Sequence, residues 1–205
     1  MSLASRIDLS QCAPSQLWAS LEPELKLAAA RSLYAHDWGE APTRREADYA
    51  IMHGMRFRES AVRQLPVDKR AQYVARSIRP SDSLAGSMLL ALHLEERRAM
   101  LSAFLDALAI PHVDGLIDEN HDMKPPAATA LAKAAKKLGE QFPAADVELY
   151  LATLYVLDRD TWAGLASLLK KGSVPYFPYK RRSRSRRPAL SERPPSRLRW
   201  RQMRR

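Results

Sequence analysis

The chain has 205 residues, 46% of them hydrophobic, with one cysteine and a formal net charge of +10. This length and composition favour a single globular domain with a substantial core. The lone Cys12 excludes an internal disulfide, and no apolar run reaches the ~18 residues of a membrane span. Because residues 1–8 lack the apolar segment of a secretory signal, we expect a cytoplasmic location.

The positive charge is concentrated at the C-terminus. Residues 180–205 contain twelve Lys and Arg and one acid, a net charge of +11, whereas residues 1–179 contain 21 basic and 22 acidic residues, a net charge of −1. The C-terminal segment repels itself and has little to bury, so we expect it to be disordered. The sequence therefore predicts a helical domain at 1–172, an aromatic and proline-rich linker or docking arm at 173–179, and a disordered Arg-rich tail at 180–205.

Prolines separate the predicted helices of the N-terminal half. A short helix is expected after Pro14, followed by a second helix with Ser20 as its N-cap. The second helix carries apolar side chains at one-turn spacing: Leu25, Ala29 and Leu33. A further helix is predicted at 68–78, between two prolines.

The longest predicted helix covers residues 43–65. Thr43 and the glutamate three residues later match a capping box, in which each satisfies a backbone N–H at the helix N-terminus. Three arginines would then lie near one face of this helix and form a basic stripe: Arg45, Arg56 and Arg63.

Charge is also distributed unevenly within the predicted domain. Residues 44–79 carry nine basic and four acidic side chains, and residues 80–122 carry two basic and eight acidic ones. Our preferred interpretation is that the two segments face and complement each other. The alternative is a basic surface that docks an acidic partner.

The remaining pattern predicts helices at 84–94 and 99–108, one after Pro125-Pro126, one opened by Pro143 and a last one from Asp158 or Asp160. Residues 147–157 of the helix after Pro143 are apolar around most of its circumference, which indicates a central, buried helix. No segment shows the alternation of a strand. We therefore predict an all-α fold, a single irregular bundle of about seven or eight helices. A short α-solenoid of helical hairpins is the alternative, because residues 92–107 and 154–169 share one pattern.

An acidic loop is predicted at 112–122, where two histidines and four carboxylates occur within eleven residues. A solvated loop is the main interpretation, and a divalent metal site is the alternative. The candidate ligands are His112, Asp118 and His121. His93 and Glu96 are additional candidates. Apart from this metal, we expect no cofactor, since phosphate-binding glycine motifs and nucleophile motifs are absent from the sequence.

The composition of the tail predicts affinity for polyanions such as nucleic acid or an anionic surface. Clustered arginines that contact phosphates release the counterions bound to them, and this release favours binding. The residues expected to bind are Lys180, Arg181, Arg182, Arg184, Arg186, Arg187, Arg199 and Arg201. A C-terminal extension under little selection would have the same composition as a functional arm. The composition of the tail therefore leaves both interpretations open. The leading functional hypothesis is a non-catalytic adaptor that binds an unknown protein partner. The alternatives are a small metal-dependent enzyme at 112–122 and an RNA- or DNA-binding protein.

Overall fold

A computed structural model of the chain describes residues 5–6, 11–36, 42–117, 123–169 and 175–176. These residues form an all-α bundle and confirm the predicted fold class. Ten α-helices occur among them, more than the seven or eight expected: α1 (Pro14–Ser20), α2 (Pro23–Ala35), α3 (Pro42–Met55), α4 (Glu59–Gln64), α5 (Val67–Ser77), α6 (Asp82–Glu96), α7 (Arg98–Ala107), α8 (Ala128–Gln141), α9 (Ala144–Leu157) and α10 (Ala166–Leu169). A short 3₁₀ turn, Ala163–Leu165, precedes α10.

Helix α6 lies at the centre of the bundle and packs against α1, α2, α3, α7 and α9. Its buried residues cover most of its circumference, as expected for a helix surrounded by others. Gly86 permits a close approach, because a Cβ there would lie 2.7 Å from the side chain of Leu157. The Ser81 hydroxyl caps its N-terminus by accepting a hydrogen bond from the backbone N–H of Leu84.

Helix α9 is the second strongly buried helix, in agreement with its apolar sequence. Pro143 forms its N-cap, and eight of its fourteen residues are buried. Phe104 of α7 packs its ring edge-on against Tyr150 of α9. Helices α6, α7 and α9 therefore share one aromatic and aliphatic core.

The predicted continuous helix at 43–65 is wrong. Helix α3 ends at Met55, Arg56 adopts a positive φ of 57°, and α4 begins at Glu59. The break turns Phe57 inward, where its ring meets Tyr73 of α5 edge-on at 5.4 Å. A contact between distant helices decides this geometry, so the local periodicity could not reveal it.

Two predicted helix caps are also wrong. The Ser20 hydroxyl is buried and donates to the carbonyl of Leu17, while α2 begins at Pro23. Thr43 lies inside α3, which begins at Pro42. The Glu46 carboxylate accepts hydrogen bonds from the Ser81 and Ser83 hydroxyls at the start of α6, so it ties two helices together.

Two ladders of two residues each depart from the expectation of no strands. Strand β1 (Ser5–Arg6) pairs antiparallel with β4 (Pro175–Tyr176), so part of the predicted arm contacts the N-terminal segment. Strands β2 (His112–Val113) and β3 (Leu116–Ile117) form a hairpin. Asp114 and Gly115 connect them with φ values of 50° and 84°, as a type I′ turn requires. The predicted acidic loop is thus an ordered hairpin over residues 112–117.

The last helix is shorter than predicted. The Asp158 carboxylate accepts a hydrogen bond from the backbone N–H of Thr161, and a 3₁₀ turn follows before the single turn of α10. The tail at 180–205 lies outside the described residues. Among the helices that are described, none is both long and apolar enough to cross a membrane.

Candidate functional site

A cavity of about 190 Å³ lies where α6, α7, α9 and the β2–β3 hairpin meet. Its walls are mainly aliphatic, with seven leucines. The lining residues are Leu90, His93, Leu94, Leu101, Leu105, Gly115, Leu116, Ile117, Tyr150, Thr153, Leu154, Leu157 and Trp162. Formally charged side chains do not occur in this lining, so the cavity suits an uncharged group.

His93 and Thr153 provide a buried polar pair at this cavity. The Thr153 hydroxyl lies 2.8 Å from the Leu149 carbonyl and donates its only proton to it. It must therefore accept at its contact of 3.2 Å with His93 Nε2, which carries a proton. His93 Nδ1 is then an unprotonated acceptor. It is buried and has no hydrogen-bond partner among the described residues.

Burial and the nearby Arg97 guanidinium lower the pKa of His93 to about 3, and burial is the larger cause. His93 is therefore neutral at physiological pH and is a poor general base there. Burial raises the pKa of the Tyr150 hydroxyl, which also stays neutral. The polar groups of this cavity are thus suited to hydrogen bonding and not to proton transfer near pH 7.

The hairpin forms one edge of the cavity, and its turn packs closely against α7. A Cβ on Gly115 would lie 2.8 Å from the Leu101 Cβ of α7, so only glycine permits this close packing. The hairpin register places Val113 directly opposite Leu116. Leu116 and Leu157 line the cavity and remain 47% and 39% exposed, while Val113 is 77% exposed. These three side chains, Val113, Leu116 and Leu157, form an exposed apolar patch at the cavity.

The structure gives no support to His112 as a metal ligand. Its Nδ1 accepts a hydrogen bond from the Gly115 backbone N–H at 3.1 Å, and its Nε2 lies 3.2 Å from an Asp106 carboxylate oxygen. Both ring nitrogens are thus used in shaping the hairpin. Within the described ranges, no three His, Cys, Asp or Glu residues group as metal ligands. Asp118 and His121 lie outside those ranges.

The other candidate residues are scattered. His93 is buried against Thr153, whereas Glu96, three residues later, is exposed. The break after α3 separates the three arginines of the predicted basic stripe. Arg45 is on α3, Arg56 follows its end, and Arg63 on α4 pairs with Glu59. The tail residues from Lys180 to Arg201 are not described.

The expected complementarity between residues 44–79 and 80–122 is not found in the described residues. Their ion pairs lie within one of the two segments or join one of them to a third region: Arg31 with Asp68, His36 with Glu95, Arg63 with Glu59, Arg70 with Asp48, Arg97 with Asp146, and His112 with Asp106. Asp48 illustrates the actual arrangement. Its carboxylate accepts from the Tyr34 hydroxyl and from the Arg70 guanidinium, each at 2.8 Å, and so joins α2, α3 and α5.

Sequence reasoning missed the polar pair of the cavity. His93 is the only ionisable residue in the apolar run 84–94, and Thr153 is a hydroxyl-bearing residue within the apolar helix 147–157. A polar residue inside an apolar run was the available signal, but it does not identify the partner 60 residues away. Comparison with protein-family models, curated proteins and solved structures gives no significant match.

Proposed function

We propose that this chain is a non-catalytic helical interaction module, which recognises a protein partner through the exposed patch and binds polyanions through its basic tail. The patch carries the first part of the proposal. Val113, Leu116 and Leu157 present apolar surface beside a cavity, an arrangement typical of surfaces that accept an apolar anchor side chain.

The chemistry beside the patch favours binding over catalysis. His93 is held neutral, and its Nε2 proton is engaged by Thr153. An enzyme that transfers protons near pH 7 needs a group whose pKa lies close to that value. The cavity instead offers apolar walls without formally charged side chains.

The surroundings of the patch indicate the charge of the partner. Asp114 in the hairpin turn is exposed, and the Asp106 side chain is 71% exposed on α7 beside the hairpin. We therefore propose a partner segment with a large apolar side chain flanked by basic residues. Its apolar part would enter the patch, and its charges would orient the encounter.

Two serine substitutions test the patch. Val113→Ser with Leu116→Ser removes apolar surface that is already exposed, so the fold should tolerate the change. Affinity capture from the native host, with excess heparin present to occupy the basic tail, should retain a partner on the wild-type chain and lose it on the double variant. Val67→Ser is the matched control, because Val67 is an exposed valine on α5. An identical set of captured proteins for all three chains would contradict the proposal.

The tail part of the proposal rests on charge and is tested separately. Deletion of residues 180–205 removes a net charge of +11. Binding to a duplex DNA or RNA probe should be lost, and the full chain should show a log–log salt slope that steepens by about 0.9 per phosphate neutralised on duplex DNA. Binding that survives the deletion would instead favour the alternative in which the helical body itself is an RNA- or DNA-binding surface.

A further inference from the structure

We infer that the outer face of α3 and the turn that follows it bind a single strand of nucleic acid, whose bases stack on exposed rings and whose phosphates pair with exposed arginines. Five residues form this aromatic-basic face, and all five are exposed: Arg45, Tyr49, His53, Arg56 and Arg58. The inference concerns the helical body and is independent of the exposed patch and of the basic tail.

Tyr49 and His53 supply the stacking surface. They lie one turn apart on α3, and their ring centroids are 4.1 Å apart. Tyr49 is 60% exposed, so its ring contributes little to the core. Every base has a π face, and a solvent-facing aromatic ring can therefore stack on a single strand of any sequence.

The arginines around the two rings have no carboxylate partner within the described part of the chain. Arg45 lies one turn before Tyr49, whereas Arg56 and Arg58 belong to the turn between α3 and α4. None of the ion pairs of the described residues includes these three arginines. Their guanidinium groups are therefore available to phosphate oxygens.

The acidic side chains of the same segment are already engaged. Residues 44–79 contain nine basic and four acidic residues. The four acids and their partners are Glu46 with Ser81 and Ser83, Asp48 with Tyr34 and Arg70, Glu59 with Arg63, and Asp68 with Arg31. The positive charge of the aromatic-basic face is thus not neutralised by the carboxylates of its own segment, and it attracts polyanions.

The C-terminal end of α5 extends the positive surface. A Cβ at Gly54 of α3 would overlap the Ile78 side chain, so the residue after α5 packs closely against the end of α3. Arg76 and Arg79, on either side of Ile78, are both exposed and take part in none of the ion pairs of the described residues. A strand that stacks on α3 therefore has further cations within reach.

The combination of free rings and free arginines favours a single strand over other polyanions. In a duplex the bases are paired and stacked on one another, so their faces are not available to Tyr49. A single strand exposes bases and phosphates together. An acidic protein segment would use the arginines and leave the rings without a stacking partner.

Binding of oligothymidylate and oligouridylate of about ten nucleotides to the full-length chain tests the inference, with a DNA duplex of equal length for comparison. The tail attracts all three probes by charge, so binding is measured at the salt concentration that releases the duplex. Stacking on a ring releases no counterions, and we expect the single strands to stay bound. Tighter binding of one of them identifies the preferred strand as DNA or RNA. Release of both single strands at the same salt concentration as the duplex would overturn the inference.

Tyr49→Leu and Tyr49→Phe are a matched pair of variants. Both keep an apolar side chain at an exposed position, and only phenylalanine keeps a ring. Tyr49→Leu should weaken binding of the single strands about fivefold or more, whereas Tyr49→Phe should stay within about twofold of the wild type. Equal binding by the wild type and Tyr49→Leu would overturn the inference. If only arginine substitutions then weakened binding, the face would suit an acidic protein instead.

Arg45→Gln tests the phosphate contact. Loss of one contact should reduce the log–log salt slope of single-strand binding by about 0.7. Arg31→Gln is the matched control, because Arg31 is an exposed arginine on α2 that already pairs with Asp68, and its replacement should leave the slope unchanged. An unchanged slope in Arg45→Gln would contradict the inference. The tail proposal would survive that result, since it is tested by duplex binding after deletion of residues 180–205.

Discussion

The buried, neutral His93 predicts a specific loss of stability in acid. In the folded chain, burial and Arg97 hold the pKa of His93 at about 3, whereas an unfolded histidine has a pKa of 6.5. As the pH falls below 6.5, the unfolded chain takes up a proton that the folded chain refuses. His93 therefore lowers the free energy of unfolding progressively between pH 6.5 and pH 3, and it has no effect above that window.

The size of this effect follows from the difference between the two pKa values. Each pH unit inside the window lowers the free energy of unfolding by about 1.4 kcal/mol. Between pH 7.5 and pH 5.0 the contribution of His93 amounts to about 2 kcal/mol, and it approaches about 5 kcal/mol near pH 3. His93 is 1% exposed, so solvent screening does not reduce these values appreciably.

Urea unfolding at pH 7.5, 6.0 and 5.0, followed by circular dichroism, measures this contribution. The variant His93→Gln keeps a donor for Thr153 and cannot titrate, so its stability should fall by about 2 kcal/mol less than that of the wild type between pH 7.5 and 5.0. His53→Gln is the matched control, because it makes the same substitution at an exposed histidine on α3. Equal pH dependence of the wild type and His93→Gln would refute the assignment of His93 as a buried neutral base.

Three further substitutions test the packing around the cavity and the helices by urea or thermal unfolding. Thr153→Val removes the acceptor of the His93 Nε2 proton and leaves a buried donor unpaired, so unfolding should become easier by about 1–3 kcal/mol; a change below measurement error would contradict the hydrogen bond. Gly115→Ala combines a positive φ of 84° with a contact of 2.8 Å to Leu101, and we expect a loss of about 1–3 kcal/mol. Gly139→Ala, where an added Cβ meets no atom within 4 Å, should instead stabilise α8 by roughly 0.5–1 kcal/mol. If both glycine substitutions changed the free energy of unfolding in the same direction, the backbone conformation and packing of Gly115 would not explain its effect.

Much of the fold is encoded locally and was predicted. Pro14 and Pro143 lie where helices begin, because proline has no N–H to satisfy and its φ suits the first turn or the cap. The apolar character of 147–157 around most of the helix circumference predicts a helix buried on most sides, and α9 is such a helix. The hairpin turn is also encoded locally, since Asp114-Gly115 is a strong type I′ signal, whereas the acidic composition of 112–122 favours a solvated loop.

The site depends on relations that single segments do not contain. His93 could be identified as an ionisable residue in an apolar run, but its tautomer follows from Thr153, which lies 60 residues away. The exposed patch likewise requires that a hairpin residue, Leu116, meets the end of α9 at Leu157. Nor does net charge locate ion pairs, since the acidic and basic segments pair within themselves or with other parts of the described chain.

The sequence by itself determined the helical class, the positions of most helices and the concentration of positive charge at 180–205, because periodicity, proline and charge act between near neighbours. Tertiary structure alone decided the break after Met55, the pairing of His93 with Thr153 and the position of the cavity. The physical reason is that packing and buried hydrogen bonds join residues far apart in the chain, and their partners are selected only when the helices come together.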